Sequence, residues 1–282
     1  MKPVLNPITK DELRRMQLIE LSVLKEVKRI CEKNNINYFL IGGTLIGAIR
    51  HKGFIPWDDD IDIGMSRPDF DKFVEVCKTD LGEEYFLQTP ETEENNADYE
   101  VARIRLNGTA CVQAFRKNTK THNGFYVEVF PYDNLPENKI TRYFYGRFFP
   151  LFKRICAIRM GYTPHPKKWI YRVVLRISTF ISRVIPLKVI HKKMLNYHVK
   201  QNKKNTEYVF LLSGAWGYEK EMHLRSTISE FTMVQFEDDM FQAPKDYDKF
   251  LREQYGDYMQ LPKDIEACYN KHRCLKLDFG KY

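Results

Sequence analysis

The chain has 282 residues, of which 43% are hydrophobic and 29% charged. That suits a folded protein of one large or two small domains and argues against a disordered chain. Lys and Arg number 45 against 37 Asp and Glu, a net charge of +8, and six scattered cysteines without a CxxC pair argue against a zinc ribbon or a disulfide scaffold. The start, MKPVLNPITKDELRR, lacks the apolar run of a signal peptide, and no run of 18 uncharged apolar residues follows, so a reducing, cytoplasmic setting is the expectation.

Thr9 and Glu12 form a capping box ahead of an apolar stripe (Leu13, Met16, Leu24, Val27, Ile30), which predicts a helix over residues 10–34. Residues 36–41 (INYFLI) read as a buried strand, broken by Gly42 and Gly43. A short helix follows over 44–50, then a loop, HKGFIPWDD. Residues 60–65 alternate acid and aliphatic and read as a strand. Ser66 and Pro68 then open a helix to about Thr79. Further strands are expected near 85–88, 101–106, 110–115 and 125–130. Residues 245–255 read as a helix ended by Gly256. The class is α/β or α+β: a mixed sheet with flanking helices and an added helical section.

The net charge is unevenly spread. Residues 138–206 hold 17 Lys and Arg and no Asp or Glu, while the remainder holds 28 basic and 37 acidic groups. Three parts follow: 1–137, a basic helical insert over 138–206, and 207–282, which completes the first part. In the insert, Arg172, Arg176 and Arg183 recur at helical spacing, with Val173, Val174, Ile177, Phe180, Ile181 and Val184 over most of the rest. Such a helix can lie in a membrane interface with its arginines on anionic headgroups. It can equally belong to a hairpin packed on the body. No base-reading motif occurs, and nucleic acid is not expected as a partner.

WDDDIDIG places Asp58, Asp59, Asp60 and Asp62 within five positions. On a strand, Asp60 and Asp62 share a face while Ile61 and Ile63 turn to the core. Two carboxylates side by side repel unless a cation lies between them, and oxygen ligands with open water positions suit Mg²⁺ or Mn²⁺. The alternative is a solvated acidic turn. In GFYVEVFPYD, Glu128 faces away from Val127 and Val129 and offers a third carboxylate. An acid inside an apolar strand is costly unless it is paired or bound to metal. Asp133, read as lying in a loop beyond Pro131, is a weaker candidate. Glycines at the start of a helix let backbone N–H groups approach an anion, and Thr44 adds a hydroxyl. Arg50, His51 and Lys52 could neutralise a diphosphate there.

Strand, Gly-Gly, helix, then an acid pair on the next strand resembles the nucleotidyltransferase superfamily, in which the glycines hold nucleotide phosphates and the acids hold magnesium. The match narrows further. GGTLIGAIRHKGFIPWDDDIDIG resembles the signature of the LicD family, which includes the fukutin-related proteins. GFYVEVFPYD resembles that family's next acidic strand, with Glu128 where Asp is the commoner acid. FEDDMFQAPKDYDKFLREQYGDYMQLP and KHRCLKLDFG resemble its C-terminal pattern.

The resemblance implies a nucleotidyltransferase-like fold. It also implies metal-dependent transfer of a phosphorylated alcohol, typically phosphocholine, from a CDP-linked donor to a surface glycan such as lipopolysaccharide or teichoic acid. Asp60, Asp62 and Glu128 would hold Mg²⁺ or Mn²⁺, with Gly42, Gly43 and Thr44 on the donor phosphates and Arg50 and His51 on the leaving cytidine monophosphate. Asp58 or Glu128 would take the acceptor's proton, and His272 would support the site or touch phosphate. Trp57, Tyr126, Trp216 and Tyr218 are among many aromatics that could face a cationic head group. The insert would hold the enzyme at the inner membrane face, beside a lipid-linked glycan acceptor. Two other readings stand: nucleotidyl transfer to a sugar or small molecule, and a non-catalytic membrane adaptor.

Overall fold

The computed structural model describes residues 5–93, 101–159, 169–186, 201–214 and 219–282, with single positions 189, 193, 196 and 200 and without the side chains of 145–154 and 182. Trp216 and Tyr218, the GYTPHP break and most of the stretch after Pro186 lie outside the described residues.

A short strand β1 (Asn6–Pro7) leads into α1 (Lys10–Asn34), whose capping box is complete: Thr9 accepts from the Glu12 amide and Glu12 accepts from the Thr9 amide. Next come β2 (Phe39–Leu40), α2 (Gly42–His51), β3 (Ile61–Ser66) and α3 (Arg67–Asp80), which Ser66 caps by accepting from the Asp69 amide. β4 (Tyr85–Gln88), β5 (Ala102–Leu106), β6 (Ala110–Val112) and β7 (Tyr126–Asn134) follow. The basic section holds α4 (Lys139–Arg159) and α5 (Trp169–Ser182). The chain closes with β8 (Tyr208–Phe210), β9 (Met222–Leu224), β10 (Phe231–Phe236), β11 (Asp239–Pro244), α6 (Tyr247–Tyr255), α7 (Ile265–Tyr269), β12 (Arg273–Cys274) and β13 (Lys276–Asp278).

The class is α/β, as expected. The central sheet is mixed, in the order β2-β3-β7-β5-β4, with β8 and β9 extending from the far end of β7. β3 and β7 run parallel and the other pairs run antiparallel. Ile61, Ile63, Val127 and Val129 are fully buried in one cluster with Leu24, Val27 and Ile30 of α1 and Phe73 of α3. Strand alternation therefore sends Asp62 and Glu128 to the opposite face of the sheet.

Two expectations need correcting. The strand over 36–41 shrinks to Phe39–Leu40, and Gly42 joins the helix with a left-handed φ of +58°. Asp133 is not in a loop: β7 runs on through Pro131 to Asn134 and pairs there with β8.

Candidate active site

The site lies where α2 begins and where β3, β7 and β5 lie side by side. Asp62 is in register with Glu128, and Glu128 with Arg103 of β5, so one row of charged side chains crosses three strands. Asp60, Asp62, Glu128 and Arg103 line a cavity of about 460 Å³ together with Gly42, Arg116, Tyr126, Tyr132, Glu221 and Tyr255. Burial, and then the neighbouring Glu128 charge, pushes the Asp62 carboxyl well above its ordinary range. Burial followed by the Asp62 charge does the same to Asp60. Asp62 Oδ1 is buried and has no hydrogen-bond partner among the described residues. An orphaned carboxylate oxygen beside like charges is the environment a cation would relieve.

The tightest carboxylate group among the described residues is a different one. Asp58, Asp59 and Asp60 bring ligand oxygens within 4.8 Å of one another, whereas Glu128 forms an ion pair with Arg103. The expected trio of Asp60, Asp62 and Glu128 thus shares one cavity wall, with Arg103 on the third acid. All the donors are carboxylate oxygens, a set that fits a hard divalent cation.

Gly43 explains the position of Asp58. A Cβ built on Gly43 would overlap Asp58 Oδ2, so only glycine admits that carboxylate against the first turn of α2. Burial, with the Asp59 charge adding, pushes Asp58 up to about 7. Gly42 lines the cavity itself, and a Cβ there would lie 3.4 Å from Asp62 Oδ2. Ile41, the residue before α2, supplies no side-chain cap, so the helix N-terminus keeps amide groups that suit an anion.

Several expected contacts take other roles. The Thr44 hydroxyl is buried and accepts from the Asp62 amide at 2.9 Å, tying α2 to β3. Arg50 lies at the opposite end of α2 from the glycines. Its guanidinium donates to the Tyr258 carbonyl at 2.6 Å and to His51 Nε2 at 2.9 Å. Arg50 and His51 are absent from the cavity wall, and Arg50 braces the YGDY turn at the end of α6. Among the described residues, the cations that line the cavity are Arg103 and Arg116. His272 holds the aspartate loop: Nδ1 is 3.0 Å from Asp59 Oδ2, and Nε2 is 2.7 Å from the Trp57 carbonyl. Asp133 lies away from the cavity, in an ion pair with Arg67 at 2.6 Å, and accepts from Asn202 at 2.5 Å.

Sequence reasoning missed the support on α1. Gln17 donates to the Asp58 carbonyl at 2.8 Å. Glu20 is fully buried, and its carboxyl is raised by that burial and then by the Asp59 charge. The signal was present, since two polar residues interrupt the buried stripe between Leu13 and Leu24. Arg103 and Arg105 were also legible as basic residues inside the apolar strand ARIRL. Both lie against Tyr126, at 5.7 and 4.5 Å from its ring centre.

Comparison with known proteins places the chain among relatives. A family model described as LicD/FKTN/FKRP, nucleotidyltransferase domain, matches residues 35–149, which include Gly42, Asp58–Asp62, Arg103 and Glu128. The lipopolysaccharide cholinephosphotransferase LicD of Haemophilus influenzae is 34% identical over 258 residues, covering 89% of this chain and 93% of that protein. The ribitol 5-phosphate transferase FKRP of Homo sapiens is 43% identical over 49 residues, 16% of this chain and 10% of that protein.

Proposed function

This chain belongs to the LicD family, and on that premise we propose that it transfers a phosphorylated alcohol from a CDP-linked donor to a cell-surface glycan. Phosphocholine is the group proposed first, because the relative that matches nearly end to end is named a cholinephosphotransferase acting on lipopolysaccharide. The ribitol 5-phosphate transferase shares the same kind of group, an alcohol phosphate, over its shorter match. A teichoic acid is the corresponding acceptor in a cell without lipopolysaccharide. The acceptor is lipid-linked in this reading, and the enzyme works at the cytoplasmic face of a membrane.

The observation that carries the proposal is the row of Asp62, Glu128 and Arg103 on one cavity wall, next to Asp60 and the open end of α2. Asp60, Asp62 and Glu128 would hold Mg²⁺ or Mn²⁺, with Asp58 and Asp59 adjoining. When bound, the cation would stabilise charge on the phosphate oxygens. Arg103 and Arg116 supply fixed positive charge for a diphosphate in the cavity. Gly42 and Gly43 leave their backbone amides open to it. The catalytic body in this reading is 1–137 with 207–282, and the insert over 138–206 is a separate element.

Incubation with CDP-choline, CDP-ribitol and Mg²⁺ tests the reaction. Acceptor-dependent release of CMP is expected, whereas pyrophosphate released from a nucleoside triphosphate would overturn transfer in favour of nucleotidylation.

Glu128→Asp should keep part of the turnover. Glu128→Gln should lose roughly a hundredfold or more, since a metal's electrostatic stabilisation is worth several kcal/mol. Equal behaviour of the two variants would make Glu128 a structural partner of Arg103. His272→Ala removes two of the tethers of the Trp57–Asp59 loop and should cost about 1–3 kcal/mol of stability together with some turnover. Lost turnover at unchanged Tm would instead make His272 a phosphate contact.

A further inference from the structure

We propose that the outward face of α5 is a docking surface for a bilayer rich in anionic lipids, on which the helix lies without crossing. Among the described side chains of α5, only Leu175 and Thr179 are buried. With about 100° between successive residues, these two mark the side packed on the protein. Val173, Ile177, Phe180 and Ile181 fall on the arc facing away from it, and Trp169 stands at its edge. Ile177 is 54% exposed, Trp169 67% and Phe180 74%. A solvated helix face carries polar residues there. This face carries large apolar ones.

Arg172 and Arg176 line one flank, between the packed side and the apolar arc, and Arg183 stands in the turn just past the helix. With no acid from 138 to 206, none of the three finds a carboxylate partner among the described residues. An apolar arc beside a cationic flank has the chemistry of an acyl boundary beside anionic headgroups.

Charge also decides against the other occupants. A second copy seated on this face would bring two inserts of 17 basic groups and no acid together. Nucleic acid would match the arginines and leave the apolar arc without a partner. No helix among the described residues is long and apolar enough to cross a membrane, so α5 would rest in the interface. The inference stands apart from the transfer reading, since vesicle binding requires no donor, acceptor or metal.

Flotation of the full chain with phosphatidylcholine vesicles, with and without phosphatidylglycerol, tests it. Binding is expected to the anionic vesicles, falling as salt rises. Replacing Arg172, Arg176 and Arg183 with Gln should weaken it roughly a hundredfold at low salt. Ile177→Ser with Phe180→Ser should weaken it with the salt dependence retained. Both variants should keep the wild-type circular dichroism, because the changed side chains are exposed. Failure to float, or equal binding to neutral vesicles, would overturn the inference. A dimer broken by the Ser pair, in a chain that does not float, would give the face to a second copy. RNA binding lost with the arginines but not with the Ser pair, again without flotation, would give it to nucleic acid.

Discussion

Asp62→Asn is expected to abolish transfer while leaving the fold standing. What fixes Asp62 in place is its backbone: its amide donates to Thr44 Oγ1 at 2.9 Å, and its carbonyl accepts from the Ile41 amide at 3.2 Å. Its neighbours Ile61 and Ile63 remain fully buried. Among the described residues the carboxylate makes no hydrogen bond at Oδ1, and it is raised by burial and by Glu128, so neutralising it relieves repulsion. Tm should hold or rise slightly. Turnover should fall by about a thousandfold or more, the loss expected when several kcal/mol of charge stabilisation disappear, and Mg²⁺ binding by calorimetry should weaken with it. Unchanged turnover at saturating Mg²⁺, or an unfolded variant, would remove Asp62 from the site.

The sequence made local geometry legible and long-range partners largely illegible. Capping boxes and strand alternation are set by neighbours a few residues apart, so α1, α3 and the opposite faces of Ile61 and Asp62 could be read directly. The β10–β11 hairpin escaped because its turn, Glu237–Asp238, lacks the usual Asn-Gly or Asp-Gly signal. Glu237 adopts φ +57° there while Arg14, more than 200 positions earlier, holds its carboxylate at 2.7 Å. Arg50 misled for a related reason. Its place in the chain, soon after the glycines, suggested phosphate, but the helix carries it to the other end, where the Tyr258 carbonyl of YGDY accepts from it. The cavity's own cations are Arg103 of ARIRL, which reaches the site only when β5 pairs with β7, and Arg116, from the turn after β6.

The same distinction separates the two acids of β7. Glu128 and Asp133 lie five residues apart, so they point to opposite faces at a separation of roughly 17 Å along the strand. Asp133 accepts from Arg67 Nε at 2.7 Å and Nη2 at 2.6 Å, and both side chains are buried. That pair joins the first turn of α3 to the end of the sheet, where Asn202 and β8 also attach. Asp133→Ala should therefore leave a buried guanidinium without its main partner and cost about 3–5 kcal/mol. At roughly 2–4 °C per kcal/mol for a chain of this size, Tm should drop by about 6–20 °C. Turnover measured well below that temperature should stay near wild type, because the row of Asp62, Glu128 and Arg103 is untouched. Replacing both partners with apolar residues, as in Arg67→Met with Asp133→Leu, should recover much of the lost Tm, since an apolar pair needs no charge compensation. If Asp133→Ala instead kept its Tm and lost Mg²⁺ affinity, Asp133 would be a metal ligand after all, and Glu128 would have to surrender that role.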